Sequence, residues 1–241
     1  MKKILGILFI LLLFCSSVFS AKESEVRMLA DNLHWLGHAS FRLDGEKVIY
    51  FDPWKLSKST AKPADIILVS HDHFDHFSVE DIKLISSDKT VIVSDLSVAQ
   101  QLKKEKFPVK EIKSLSPGDS LEVEGVKIKA VPSYNTNKPF HSKESKKIGF
   151  ILDITGGKIY YAGDTDVIPE MKDYTCDIAL LPVSGTYVMT AEEAANAALV
   201  IKPKIAIPMH YGDIVGTISD AQRFKQLLGG KIEVRIITKE N

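Results

Sequence analysis

Seven histidines occur in 241 residues, and three of them, His71, His73 and His76, share one hexapeptide with Asp72, Phe74 and Asp75. The residues before it, "DIILVS" at 65–70, are almost all apolar and read as a strand covered on both faces. In an extended segment, residues two apart point to the same side. His71 and His73 can therefore reach one cation, while Asp75 and His76 face a second point as the chain turns. Imidazole and carboxylate both ligate Zn²⁺ or Mn²⁺ well.

Two further residues share this setting. Asp164 lies just beyond the apolar run of "KIYYAGDTD", and His210 just beyond that of "KIAIPMHYG". The C-terminal ends of strands are where an α/β scaffold gathers functional groups. Two dications about 3.5–4 Å apart repel, so a pair of them needs an anion between, and Asp164 suits that role. A lone histidine is ordinarily a satisfied core or surface residue, and a lone Gly-Asp-Thr is an ordinary turn. The concentration of ligand types sets these residues apart.

The elements around them follow from turn signals and periodicity. "NLHWLG", "SFRLD" and "KVIYFD" (32–52) form a meander interrupted at Asp44-Gly45. "VIVS", "SLEVEG" and "VKIKAVPS" are further strands; residues 147–164 form a hairpin turning at Gly156-Gly157; "DIALLPVS" and "KIEVRII" complete the set. Helices are expected over 78–86, from a Ser97-x-x-Gln100 box, from a Thr190-x-x-Glu193 box and from a Ser219-x-x-Gln222 box. This alternation predicts an α+β fold with two mixed sheets covered by helices in one domain.

Together these motifs give the chain a family likeness: it resembles the metallo-β-lactamase superfamily. The resemblance rests on H-D-H-F-D-H, then G-D-T and M-H-Y-G in order, and it spans residues 31–237. "WLGHASFRL" (35–43), "FDPW" (51–54) and residues 182–212 are most similar to the branch of metal-dependent hydrolases that includes ascorbate-6-phosphate lactonase-like proteins. The resemblance implies an αβ/βα sandwich. It implies a first metal on His71 and His73, a second on Asp75, His76 and His210, and Asp164 as the bridge. The family usually supplies a third ligand to the first metal from a histidine after a central strand. Asn135 stands at that position, and His141 lies six residues on; His141 is the favoured ligand, with a water-completed or single-metal site as the alternative.

Among neighbouring residues, His38 could line the pocket or orient a ligand, or be an ordinary structural histidine. Asp52 is expected to accept a hydrogen bond from a ligand imidazole. Ser184, Thr186, Tyr187 and Met189 could form a substrate wall or a plain connecting loop. Cys176 reads as a small buried hydrophobe.

The chemistry implied is hydrolysis by metal-activated water on a lactone, ester or phosphodiester, with two Zn or Mn ions as cofactors. Asp75 would handle the nucleophile's proton and His210 the product-side oxygen. The alternative is a metal- or ligand-binding protein on the same fold with weak or no catalysis. No G-x-S-x-G, P-loop or G-x-G-x-x-G points to covalent, nucleotide or dinucleotide chemistry. Equal numbers of acidic and basic residues, 31 each, offer nothing to a nucleic acid, so the expected partner is a small-molecule substrate. Residues 1–20 have two lysines, an apolar run from Ile4 to Phe14 and then small residues, the pattern of a signal peptide cleaved after Ser20. The run is shorter than a membrane span of about 20 residues. The domain would then be 21–241, exported to the periplasm or beyond, and membrane-attached only if the leader stays uncleaved or Cys15 is lipidated.

Overall fold

The computed structural model describes residues 20–240, so the expected leader, with its cleavage and lipidation alternatives, lies outside the described residues apart from Ser20. A helix over residues 20–31 (α1) leads into the meander β1 (Leu33–Gly37), β2 (Ser40–Asp44) and β3 (Val48–Phe51). Next come β4 (Ile66–Val69), α2 (Val79–Ile85), β5 (Val91–Ser94), α3 (Leu96–Leu102) and β6 (Glu111–Ser114). The second half runs β7 (Ser120–Val123), β8 (Val126–Pro132), β9 (Ile148–Ile154), β10 (Gly157–Tyr161), β11 (Ile178–Pro182), α4 (Ala191–Ile201), β12 (Ile205–Met209), α5 (Ile218–Leu228) and β13 (Glu233–Val234).

The strands form two mixed sheets, ordered β1-β2-β3-β4-β5-β6 and β13-β12-β11-β10-β9-β8-β7. Their inner faces meet in one core. The two-residue period of a strand shows in β4, where Ile66 and Leu68 face the other sheet while Ile67 and Val69 pack beneath Ile82 and Ile85 of α2 and Val98 and Leu102 of α3. That double coverage is why "IILV" is apolar throughout. On the second sheet, α4 packs on β11 and α5 on β12. The outcome is the expected α+β sandwich.

Pairing directions decide where the chemistry sits. β1 and β3 are both antiparallel to β2, and β3 and β4 are parallel. β8 and β10 are both antiparallel to β9, while β10, β11 and β12 are mutually parallel. The C-terminal ends of β1, β3 and β4 therefore share one edge of their sheet, and those of β8, β10, β11 and β12 share one edge of the other. The residues just past those ends are His38, Asp52, Ser70, Ser133, Ala162, Val183 and His210.

Three local readings are corrected. The α3 cap is Asp95, whose carboxylate accepts from Val98 N, rather than Ser97. The α5 cap is Thr217, boxed with Asp220, rather than Ser219. The run "KIEVRII" pairs over only two residues. The Thr190–Glu193 box at α4 is present with both hydrogen bonds. Two elements were absent from the sequence reading: β6, a mostly polar edge strand, and α1, which buries Val26, Leu29 and Ala30 in the inter-sheet core. Val26 faces Gly157 at the β9–β10 turn, the end of the sandwich opposite Asp164.

Candidate metal centre

Five strand ends and one loop converge on a compact cluster of imidazoles and carboxylates. Ligand atoms of His71, His73, His141 and Asp164 all lie within 4.8 Å of one another, as do those of His38, Asp75, His76 and His210. Asp164 lies between the groups. Its Oδ1 is 3.1 Å from His76 Nε2 and 3.2 Å from His210 Nε2, and its Oδ2 is 3.9 Å from both His71 Nε2 and His141 Nε2. Gly163 sets that carboxylate. It has φ +63°, and a Cβ there would stand 3.1–3.3 Å from Ser133 Oγ, Ile148 O and Ser70 Cβ.

Supporting hydrogen bonds fix which ring nitrogen is free. Asp52, fully buried at the end of β3, receives Ser70 N at 2.7 Å, Ser70 Oγ at 2.5 Å, His76 Nδ1 at 2.6 Å and the Tyr161 hydroxyl at 2.6 Å. The Ser70 hydroxyl has one proton and gives it to Asp52. It must then accept from His71 Nδ1, 2.9 Å away. Both His71 and His76 are thereby left with unprotonated Nε2 atoms aimed at Asp164 whenever these rings are neutral. His210 Nδ1 lies 3.0 Å from Ser184 Oγ, which leaves its Nε2 similarly directed. His38 Nε2 lies 3.0 Å from Asp75 Oδ2, so His38 orients Asp75.

Several of these atoms lack the partners that buried polar groups require. His71 Nε2, His76 Nε2, His210 Nε2, Asp164 Oδ1, His141 Nδ1 and His38 Nδ1 are buried without a hydrogen bond. His141 Nε2 lies 3.0 Å from His73 Nδ1, where only one ring can donate to the other. Cations would satisfy what the protein leaves open: lone pairs converging from imidazoles, with a carboxylate shared between the two groups. The donor set therefore fits divalent cations.

Electrostatics agree for the His71 group. At His76 burial pushes the pKa down, but Asp164 and Asp52 outweigh it and raise it well above the ordinary imidazole value, so a cation there would displace a proton. Burial is the largest influence on His71 and, with His76 and His141 nearby, holds its pKa well below the ordinary value. Burial likewise brings His141 down to about 4. Both are then neutral, the state a ligand needs. Burial pushes Asp164 up, but His210 and His76 outweigh it and keep the group well below the usual carboxylate range. Burial also opposes ionisation of Asp75, which the His38 hydrogen bond and His76 overcome.

The backbone is held in unusual conformations here. His38, Asp52, His141 and His210 all have left-handed φ, between +41° and +61°. For non-glycine residues this costs on the order of 1 kcal/mol each, and such residues gather at functional sites. His210 N donates to His38 O at 2.9 Å, joining the two sheets at the centre.

The expected residues divide clearly. His71, His73, Asp75, His76, His141, Asp164 and His210 are brought together. His38 joins the Asp75 group more closely than a pocket-lining role implies. Asn135 donates from its Nδ2 to Phe140 O at 3.0 Å and Tyr187 O at 2.7 Å, and its Oδ1 is buried without a hydrogen bond. In the loop before α4, Thr186 and Tyr187 are exposed, but Met189 is fully buried and lines no wall. Ser184 serves His210. Cys176 is partly buried against the inter-sheet core, as expected of a small hydrophobe. The sequence reading missed Ser70 and Tyr161. Ser70 directly precedes His71, and a hydroxyl next to a ligand histidine was the available signal.

A family profile described as the β-lactamase superfamily domain matches residues 32–210. The chain belongs to the metallo-β-lactamase superfamily. Within that superfamily, a UPF0173 metal-dependent hydrolase of Pyrococcus abyssi is 35% identical over 216 residues, covering 84% of this chain and 94% of the relative. Its counterpart in Thermoplasma acidophilum is 36% identical over 206 residues, covering 81% and 89%. A crystallised protein of Parabacteroides distasonis matches with a TM-score of 0.74 at 35% identity, covering 87% of this chain and 93% of that one. Igni18, a metallo hydrolase of Ignicoccus hospitalis, shares the fold at 22% identity and a TM-score of 0.70.

Proposed function

We propose that this metal-dependent hydrolase holds two divalent cations and cleaves a lactone or carboxylic ester with water as the nucleophile. The observation that carries this is Asp164, whose two oxygens face separate histidine groups. His71, His73 and His141 would hold one ion, and Asp75, His76 and His210 the other. Five of those six residues are imidazoles, which favours zinc over manganese. Bound there, the ions would supply a water acidified from about 15.7 toward about 7 and an electrophile for the carbonyl. Asp75, held by His38 and partly exposed, takes up the nucleophile's proton. His210, fixed by Ser184, would help hold the ion that stabilises the oxygen gaining charge.

A carbonyl substrate is favoured over a phosphodiester by the surrounding charges. Lys138 is paired with Asp166, and Lys147 with Asp72 and Asp95, while Lys55 lies over the Trp54 ring. The large apolar side chains exposed beside ligand residues are Phe74 and Phe140, and Phe140 packs edge-on against Tyr187. This rim suits an apolar acyl or alcohol portion. The binding-protein alternative drew on the missing third ligand, and the position of His141 beside His73 and Asp164 weighs against it.

The test is to chelate the protein, restore Zn²⁺ or Mn²⁺, and screen lactones, aryl esters and a phosphodiester. Metal-dependent turnover of a lactone or ester supports the reading. Phosphodiester turnover alone overturns the substrate class, and no turnover of any of them favours the binding protein. We also infer export from the pattern of residues 1–20. A recovered protein beginning at Ala21 supports this, and one beginning at Met1 in the cytoplasm contradicts it.

A further inference from the structure

We infer that Asn135 is a positioning residue that couples cation binding by His141 to the order of the loop bearing Thr186 and Tyr187. The inference rests on the two-cation reading above and goes beyond it by linking one ion to the substrate side of the centre. His141 comes from a loop rather than a strand end, so something must hold that loop in register. Asn135 closes it at both levels. Its backbone N donates to His141 O at 2.7 Å, and its side-chain Nδ2 donates to Phe140 O, the carbonyl preceding His141, at 3.0 Å. Between these contacts His141 adopts φ +59°, which turns its ring toward His73 and Asp164.

The second hydrogen of the same amide goes elsewhere. It reaches Tyr187 O at 2.7 Å, on the loop between β11 and α4. Both donor hydrogens of a buried amide are thus committed, one to each loop. Asp166 backs the arrangement from the opposite side. Its carboxylate accepts from Thr136 N at 2.8 Å and Thr136 Oγ1 at 3.2 Å and pairs with Lys138. Asp166 follows Asp164 by two residues, so the 135–141 loop is tied to the strand end that carries the shared carboxylate. Met189 N also donates to Thr165 O at 3.2 Å. Three segments, 135–141, 164–166 and 185–189, therefore meet around one asparagine. A cation on His141 restrains the first segment, and Asn135 passes that restraint to the third.

Asn135→Asp is the discriminating variant. It keeps size and shape but replaces the double donor with oxygens facing two carbonyls. Asp166→Asn, which weakens the same loop from its other side, serves as the second variant. Each full-length protein is dialysed against graded Zn²⁺ and its bound metal counted. Backbone hydrogen exchange at 185–189 is followed with and without Zn²⁺, with melting temperature as a control. Removing a residue that orients a ligand typically weakens metal binding about 10–100-fold. One of the two zinc affinities should fall by that factor in Asn135→Asp, and partly in Asp166→Asn, while the other keeps its parent value. Zinc should slow exchange at 185–189 in the parent and not in Asn135→Asp. A parent and an Asn135→Asp protein that share both affinities overturn the inference and leave the two-cation reading standing, as does equal weakening of both sites with a general loss of stability. A parent that binds no zinc overturns that reading, and the coupling with it.

Discussion

Replacing Asp52 by alanine tests how the centre is supported without touching a residue assigned to a cation. Four donors meet its carboxylate. Two have somewhere else to go: the Tyr161 hydroxyl is 3.0 Å from Ala39 O, and the Ser70 hydroxyl can donate to His71 Nδ1 once that ring moves its proton to Nε2. Ser70 N and His76 Nδ1 would be left buried without an acceptor. At about 1–3 kcal/mol each, the expected loss is roughly 2–6 kcal/mol, a large part of the ~5–15 kcal/mol that holds a domain folded. The Asp52→Asn substitution keeps the volume and one acceptor oxygen, so its stability should fall between parent and alanine. Urea unfolding in chelator gives this order directly. Zinc titration of the alanine variant should show binding weakened about 10–100-fold, because His76 loses the group that fixes its tautomer. An alanine variant within about 0.5 kcal/mol of the parent, with unchanged zinc affinity, would refute the reasoning, since an ordinary surface substitution does no more.

Three further outcomes are expected. His141→Ala should reduce bound metal by about one ion per chain without unfolding the protein, measured by elemental analysis beside a melting curve; unchanged metal would remove His141 from the ligand set. Phe74→Ala should leave stability within about 0.5 kcal/mol, because the ring is 69% exposed, while raising KM for apolar esters; an unchanged KM would detach Phe74 from the substrate. Cys176, whose thiol burial pushes up to about 12, should resist a thiol reagent at pH 8 and react once the chain is unfolded; rapid native labelling would contradict its burial.

The cluster at the strand ends was legible because a buried strand running straight into His71, Asp72, His73, Asp75 and His76 puts more polar groups at a desolvated end than the backbone alone can satisfy. Asp164 and His210 followed from the same juxtaposition of an apolar run with a ligand type. The sandwich was legible from strand and helix alternation, and "IILV" showed double coverage by its composition alone. Caps were less so: Asp95 and Ser97 are both good candidates, and backbone geometry that sequence does not print chose Asp95. The polar edge strand β6 carries little apolar signal, because no second strand covers its outer side. Helix α1 precedes the motifs and adjoins the expected leader, which obscured the Ser20-x-x-Glu23 pattern at its start. Least legible were the supports. Ser70 and Asn135 act by hydrogen bonds to residues that only folding brings near, so their roles depend on which proton points where.

The most direct measurement is the metal content of the purified chain after zinc supplementation and removal of loosely bound ions. The account predicts close to two zinc ions per chain, one on each side of Asp164. A reproducible value of one or none would contradict it, because neither the shared carboxylate nor the buried, unpartnered nitrogens on both of its sides would then be explained.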